Sequence, residues 1–331
     1  MRSIAQPGAP VTERIQWVTA RGRAFSFVLE AGIPLLEAVR RGFAAEGFSA
    51  GVLSAKAGAL GPFAYVMPAL SKDGANAAFY SDTFRPEGVT RLKLAALTFG
   101  ERDGAPFFHC HGLWTEADGR FNGGHMLPDE TIVAEPFEVA AFGIDGATFL
   151  AEPDSETNFK LFGPVARAPA GAKTTSHAFA LRLRPNQDFA CALEGFCRLH
   201  GILRARLHGG VGSTIGAVFT DVHDVVPFAT ELAVTAGQIA ADEDGRLHAE
   251  LDIALVDYLG GTAEGRLVRG DNPVLMTMEL VLEVLEEHGT LRFTQLGRAV
   301  GRISQKMLTQ TLRQMEEDGL VNRTVHPVIP P

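Results

Sequence analysis

The chain repeats itself, and a repeat restricts the fold more than any single motif can, because two copies of one pattern must bury two similar apolar faces. Residues 24–58, opening AFSFVLEAGI, align with residues 178–212, opening AFALRLRPNQ, at a constant offset of 154. Phe25 then meets Phe179, Leu29 meets Leu183, Gly47 meets Gly201 and Leu53 meets Leu207. Each copy reads as an alternating strand, a turn, an amphipathic helix and another strand. Leu35, Val39 and Phe43 in the first copy, and Phe189, Leu193 and Cys197 in the second, are spaced to form the buried helix stripe. Gly47 and Gly201 follow the helices, where a left-handed residue closes the last turn at least cost. Further on, TEADGRFNGGH (115–125) matches GTAEGRLVRGD (261–271) at offset 146, so the second copy is shorter by about eight residues.

These offsets divide the chain into a first copy over 1–163, a linker over 164–176, a second copy over 177–287 and an appendage over 288–331. The stretch GPVARAPAGAKTTS (163–176) that contains the linker is small, Pro-bearing and without periodicity. From residue 289 on, six Lys and Arg stand against three acids, a local charge of +3 in a chain whose net charge is −9. That asymmetry marks the appendage as a separate functional unit, while the acidic whole excludes a protein that coats nucleic acid with its entire surface. At 331 residues and 46% hydrophobic the chain is neither disordered nor fibrous. Three cysteines, Cys110, Cys191 and Cys197, make no disulfide framework and suit a reducing compartment. Residues 1–22 lack the apolar core of a signal peptide, and no run reaches the roughly 18 apolar residues of a membrane span. The expectation is a cytoplasmic protein with no membrane partner.

Chemistry concentrates in FFHCHGLWTEADGRFNGGH (107–125). On a strand with period two, His109 and His111 project to one face while Phe108 and Cys110 project to the other. Folding a hairpin about Ala117 predicts His109 opposite His125 and His111 opposite Gly123, which would leave room for an ion. Three imidazoles on one hairpin face fit zinc or a similar divalent metal, with a fourth position for water or another ligand. Cys110 points away and reads as a small buried hydrophobe. Glu116, the nearest acid in sequence, reads as a solvated turn residue. The second copy holds Leu255, Asp257 and Asp271 at the equivalent positions, so the histidine site is expected in the first copy alone. His248, Glu250 and Asp252 share a face of one strand and read as solvated. GGVGSTIG (209–216) lacks the lysine of a phosphate-binding loop and reads as a close-packed strand-turn.

The strand opening onto a helix, the HxH of His109 and His111, and the GGH of 123–125 around a D-G turn resemble the PPC (plants and prokaryotes conserved) domain. The resemblance covers both copies and is weaker in the second. It implies an α+β fold of two tandem domains with antiparallel sheets and short helices, trimeric association, and in prokaryotic members a metal held by the HxH and GGH histidines. It implies no enzyme activity. The Arg-Gly-Arg-Pro core of the AT-hook that accompanies this domain in plants is not present.

The appendage carries the most specific string, LRFTQLGRAVGRISQKMLTQTLRQMEEDGLVNRTVHP (291–327). Phe293, Leu296 and Val300 give a short amphipathic helix. Ser304 caps a second over 304–318, with Met307, Leu308, Leu312 and Met315 as its apolar stripe and Gly319 at its end. Gln305, Lys306, Thr309, Gln310 and Arg313 face the other way and are side chains that reach phosphates and base edges. LVNRTVHP reads as the first strand of a wing. The run ISQKMLTQ, with Leu312, Glu316, Asp318–Val321 and Arg323, resembles the HxlR-type winged helix-turn-helix. That resemblance implies a partial winged helix whose recognition helix presents Ser304, Gln305, Lys306, Thr309, Gln310 and Arg313, with Arg323 on the wing, contacting DNA through 291–331. The family pattern continues with a returning wing strand and a dimerising helix beyond the run matched here, so the resemblance leads us to expect a partial winged helix over 288–331. MELVLEVLEEHG (278–289) is claimed twice, as the first helix of the winged helix and as the last strand of the second repeat.

These observations predict a DNA-binding transcriptional regulator with a metal-binding, oligomerising body and no catalytic residue. The alternative is a metal-dependent enzyme or small-ligand-binding protein that uses the three histidines, its tail a remnant.

Overall fold

The computed structural model describes residues 2–221, 223–285, 293–301 and 303–317, and over these the chain is an α+β protein of antiparallel sheet with a few short helices. It divides into two compact units, one of residues 1–240 with 247–286, the other of 241–246 with 287–331. Among the described residues no helix is long and apolar enough to cross a membrane.

The first half of the larger unit runs β1 (Ile15–Leu29), α1 (Leu35–Ala45), β2 (Gly51–Ala55), β3 (Thr90–Arg102), β4 (Ala105–Thr115), β5 (Phe121–Met126), β6 (Phe137–Asp145), β7 (Ala147–Pro153) and β8 (Lys160–Ala166). Its strands lie side by side in the order β1–β6–β2–β3–β4–β5, all antiparallel. The second half runs β9 (Ser176–Leu183), α2 (Phe189–Leu199), β10 (Arg204–Val218), β11 (Asp224–Ala241), β12 (Leu247–Asp257), β13 (Thr262–Arg266) and β14 (Val274–Val284). There β9 pairs with β14, β14 with β10, β10 with β11, and β12 with β13.

Both helices form where the periodicity places them. Leu35, Val39 and Phe43 of α1, and Phe189, Leu193 and Cys197 of α2, are all buried, each large side chain contributing about 1.5–3 kcal/mol of apolar burial. Gly47 and Gly201 have φ of 82° and 66°. Phe48 N–H donates back to Phe43 O at 2.9 Å, and Ile202 N–H to Cys197 O at 2.8 Å, so carbonyls of the last turn are satisfied. Asp188 caps α2, its carboxylate accepting from Cys191 N–H at 2.8 Å.

The long strand β1 joins the halves: Ile15–Gly22 pairs with β9, and Arg21–Leu29 pairs with β6. Small residues meet where they pack, with Ala20, Ala50, Ala178 and Ala180 buried around Phe142 and Phe149. The doubly claimed stretch is strand as far as Val284, and its residues 286–289 lie outside the described residues: β14 lies between β9 and β10, with Leu280 opposite Leu181 and Leu282 opposite Leu207. A segment with neighbours on both edges and both faces covered gains more from the sheet than from an isolated helix. Residues 209–216 lie within β10, where a Cβ on Gly212 would stand 2.2 Å from Thr277 O; this is close strand packing, with no turn at that point. Glu250 and Asp252 pair with Arg266 on an exposed strand face.

The smaller unit contains α3 (Phe293–Val300) and α4 (Gln305–Glu317). Ser304 Oγ accepts from Met307 N–H at 3.2 Å, the expected cap. Leu308 is buried, and Leu312 and Met315 are half-buried. Met307, expected in that stripe, is 60% exposed, because it lies about 100° round the helix from Leu308. Gly319, Arg323 and the wing strand of 320–327 lie outside the described residues.

Candidate metal centre

Strand β4 alternates as the sequence predicts. Phe108 and Cys110 are buried in the core that packs under α1, and burial pushes the Cys110 thiol well above its ordinary range. His109 and His111 leave the opposite face, toward the second half. The register, however, is displaced by two residues from the expectation: His111 stands opposite His125, and Gly123 opposite Leu113. The turn is centred one residue later, at Asp118. Gly119, at φ 88°, donates its N–H to Glu116 O, and Arg120 N–H bonds the Asp118 carboxylate at 2.9 Å. A displacement of two keeps every side chain on its face, so the three imidazoles still converge.

One ring nitrogen from each of His109, His111 and His125 lies within 4.8 Å of the others, and the ring centroids are 4.5, 4.9 and 5.4 Å apart. The outward nitrogens of the first two are engaged: His109 Nδ1 contacts Glu279 Oε2 at 2.9 Å, and His111 Nδ1 contacts Leu232 O at 3.0 Å. A carbonyl oxygen only accepts, and so does a carboxylate, which assigns the proton to Nδ1 in both rings. The two Nε2 atoms, 3.0 Å apart, therefore face each other with lone pairs, an arrangement a shared cation relieves. A tetrahedral zinc with Zn–N of about 2.0–2.1 Å sets its ligands about 3.3 Å apart. The donor set fits such an ion, and carboxylate or carbonyl acceptors behind metal-bound histidines fix ring orientation.

Electrostatics point the same way. Burial, and then the neighbouring His109, holds His111 well below the ordinary histidine range, with the Leu232 and Gly212 backbone opposing. Burial and His109 do the same to His125, whose Nδ1 is buried without a partner. Neutral imidazoles are the metal-binding form.

Two acids from the second half, which sequence reasoning missed, complete the surroundings. Glu279 on β14 is fully buried, and Glu231 on β11 is 6% exposed. Burial drives the Glu231 carboxyl well above the ordinary carboxylate range. A detectable signal existed: each acid interrupts a nearly continuous apolar run, ATELAVTAG and VLMTMELVL, where a charge is buried only with a partner. The histidines thus belong to the first half, as expected, but the site does not. Beside them a cavity of about 50 Å³ is lined by Tyr80, Phe159, Ser213, Thr230, Leu275 and Met276 among others, enough for a few waters. Glu116 is buried rather than solvated, accepting from Tyr65 O–H at 2.6 Å; the turn folds it back against the strand that carries Tyr65.

In the smaller unit, Ser304, Gln305, Lys306, Gln310 and Arg313 are exposed on α4. The Ser304 hydroxyl caps the helix, and Thr309 Oγ1 donates to Gln305 O at 2.8 Å, so these two hydroxyls are engaged within the helix.

Comparison with known proteins finds two family matches: the Plants and Prokaryotes Conserved (PCC) domain over residues 170–286 and the HxlR-like helix-turn-helix over 277–331. They overlap over 277–286, which takes in most of β14 and the start of the stretch that the sequence assigns twice. An uncharacterized HTH-type transcriptional regulator of Methanothermobacter thermautotrophicus is 50% identical over 93 residues, covering 24% of this chain and 68% of that protein. The HTH-type regulator YtfH of Escherichia coli is 50% identical over 52 residues, covering 16% of this chain and 40% of that protein. Among solved structures, a metal-containing protein of Archaeoglobus fulgidus aligns over 43% of this chain and 94% of its own, at 21% identity and a TM-score of 0.34.

Proposed function

The chain belongs to the HxlR-like helix-turn-helix family and carries a Plants and Prokaryotes Conserved domain, and from that premise we propose that it is a DNA-binding transcriptional regulator whose larger unit holds a divalent metal. The observation that carries the regulatory reading is the 50% identity over 93 residues to an HTH-type transcriptional regulator, together with the HxlR-like helix-turn-helix match over 277–331. The exposed Gln305, Lys306, Gln310 and Arg313 on α4 support it, because amide and cationic side chains on one helix can bond phosphates and base edges; Arg323, outside the described residues, is proposed to add a contact from the wing. In this reading residues 1–163 and 177–287 are two copies of one domain, the larger unit assembles as a homotrimer, and the protein works in the cytoplasm.

Metal binding rests on the converging imidazoles of His109, His111 and His125, with zinc the simplest ion for three nitrogens and no redox demand. The metal would act as a Lewis acid toward an oxygen donor, while Glu279 and Leu232 O hold the two Nδ1 protons outward. The small cavity beside the cluster favours a second reading, a metal-dependent enzyme or small-ligand sensor. A DNA-shift assay on the full chain at graded salt, with and without bound metal, tests the proposal. Salt-dependent binding supports it; no binding by the loaded or metal-free chain down to low salt overturns it.

A further inference from the structure

Glu231 is held by no hydrogen bond at Oε2, unlike Glu279, which is tied to His109. Glu231 is a carboxylate 6% exposed, on an apolar strand of the second half, and that Oε2 is buried. Its Oε1 lies 3.8 Å from His111 Nε2, the nitrogen that faces His109 and not the one held by Leu232. That separation is within about half an ångström of the ligand spacing around a tetrahedral zinc. Leu232, the next residue along β11, already fixes the His111 ring, so one turn of strand pleat positions both the ring and the acid.

Charge supplies an independent argument. Three neutral imidazoles leave a divalent ion with its full charge in a buried site, and a buried net charge is costly unless neutralised. Glu279, hydrogen-bonded behind His109, and Glu231 are the two carboxylates at the cluster, and together they cancel that charge. Glu279 is occupied by His109 Nδ1 at 2.9 Å; Glu231 Oε1 approaches one ring of the cluster, at His111 Nε2, and joining the set of three histidines would draw it closer to the other two.

Resting on the metal reading above, we infer that Glu231 is the fourth metal ligand, so that the ion is closed by three histidines of the first half and one carboxylate of the second. The metal then fastens β11 to the β4–β5 hairpin, and its fourth place is not open to solvent.

The test uses the full chain loaded with Co²⁺, whose visible bands report ligand number. The wild-type spectrum should be four-coordinate and unchanged by thiocyanate, because no exchangeable position remains. In Glu231→Gln the spectrum should change, respond to thiocyanate, and give up metal to a chelator at least about 10–100-fold more readily. Gln has the same shape and needs no buried charge, and the thiocyanate measurement on wild type stands even if the variant folds poorly. A wild-type spectrum that shifts with thiocyanate, or a variant that holds cobalt as tightly with the same bands, overturns the fourth-ligand assignment while leaving three-histidine binding intact. Failure of the wild-type chain to take up cobalt at all removes both.

Discussion

Replacing Asp154 by asparagine should loosen the join between the two halves of the larger unit by an amount the structure sets. Asp154 follows β7 in the first half and is reached by two arginines from the second. Its Oδ2 accepts from Arg182 at 2.9 Å and from Arg184 at 2.7 Å, while Oδ1 accepts from Thr157 N–H and Oγ1, each at 3.0 Å. The Arg182 and Asp154 side chains are both 4% exposed, so solvent does little to screen the pair. Burial pushes the Asp154 carboxyl up, but Arg182, Arg184 and Thr157 outweigh it and bring it from 3.8 to about 2. At about 1.4 kcal/mol per pKa unit that shift corresponds to about 2–3 kcal/mol. Removing one partner of a buried pair costs about 3–5 kcal/mol, so a loss near 3 kcal/mol is expected for Asp154→Asn, or a Tm lower by about 6–12 °C. Because the folded-state carboxyl is depressed, its contribution is complete above pH 3.8 and fades as pH falls toward 2; the gap between variant and wild type should close over that range. Urea unfolding at pH 7 and at acid pH measures both. A variant within 1 kcal/mol of wild type at pH 7, on the scale of an exposed ion pair, would refute the claim that this pair is buried and uncompensated without its carboxylate.

Other outcomes follow from the same geometry. Chelation of the metal, or His111→Ala, should lower the melting temperature; at metal about a thousandfold above Kd the loaded chain gains about 4 kcal/mol, checked by calorimetry with and without metal. In the metal-free chain the depressed His111 and His125 cost stability as pH falls below 6.5, where the unfolded rings take protons first. The raised Glu231 works oppositely, returning stability as pH falls toward 4.5, so the wild-type stability profile should be flatter than that of Glu231→Gln. Lys306→Ala with Arg313→Ala should weaken DNA binding and reduce the log–log salt slope by about two, read by titration at several salt concentrations; an unaltered slope would remove α4 from the interface.

How far the site was legible in the sequence can be read residue by residue. The common face of His109 and His111 follows from the period of a strand, which no tertiary contact can change. The partner across the hairpin did not follow, because the turn is centred on Asp118 rather than Ala117, and a displacement of two residues leaves the face pattern identical. Glu231 and Glu279 were hidden by distance: they arrive from strands more than a hundred residues away, placed by β1 bridging the halves. The helical and extended readings of 278–289 could not be separated by periodicity, since a Leu- and Val-rich run suits both; two strand neighbours decided it for Val274–Val284. Met307 was assigned to the apolar stripe of α4 on spacing alone, yet the buried arc there is only wide enough for Leu308, Leu312 and Met315.

Elemental analysis of the full chain, purified without chelator and dialysed against metal-free buffer, tests the central claim most directly. The three-imidazole site predicts one divalent ion per chain in the wild type and loss of that ion in His111→Ala. Wild-type protein that is well folded and carries no stoichiometric metal, even after incubation with zinc, would contradict it.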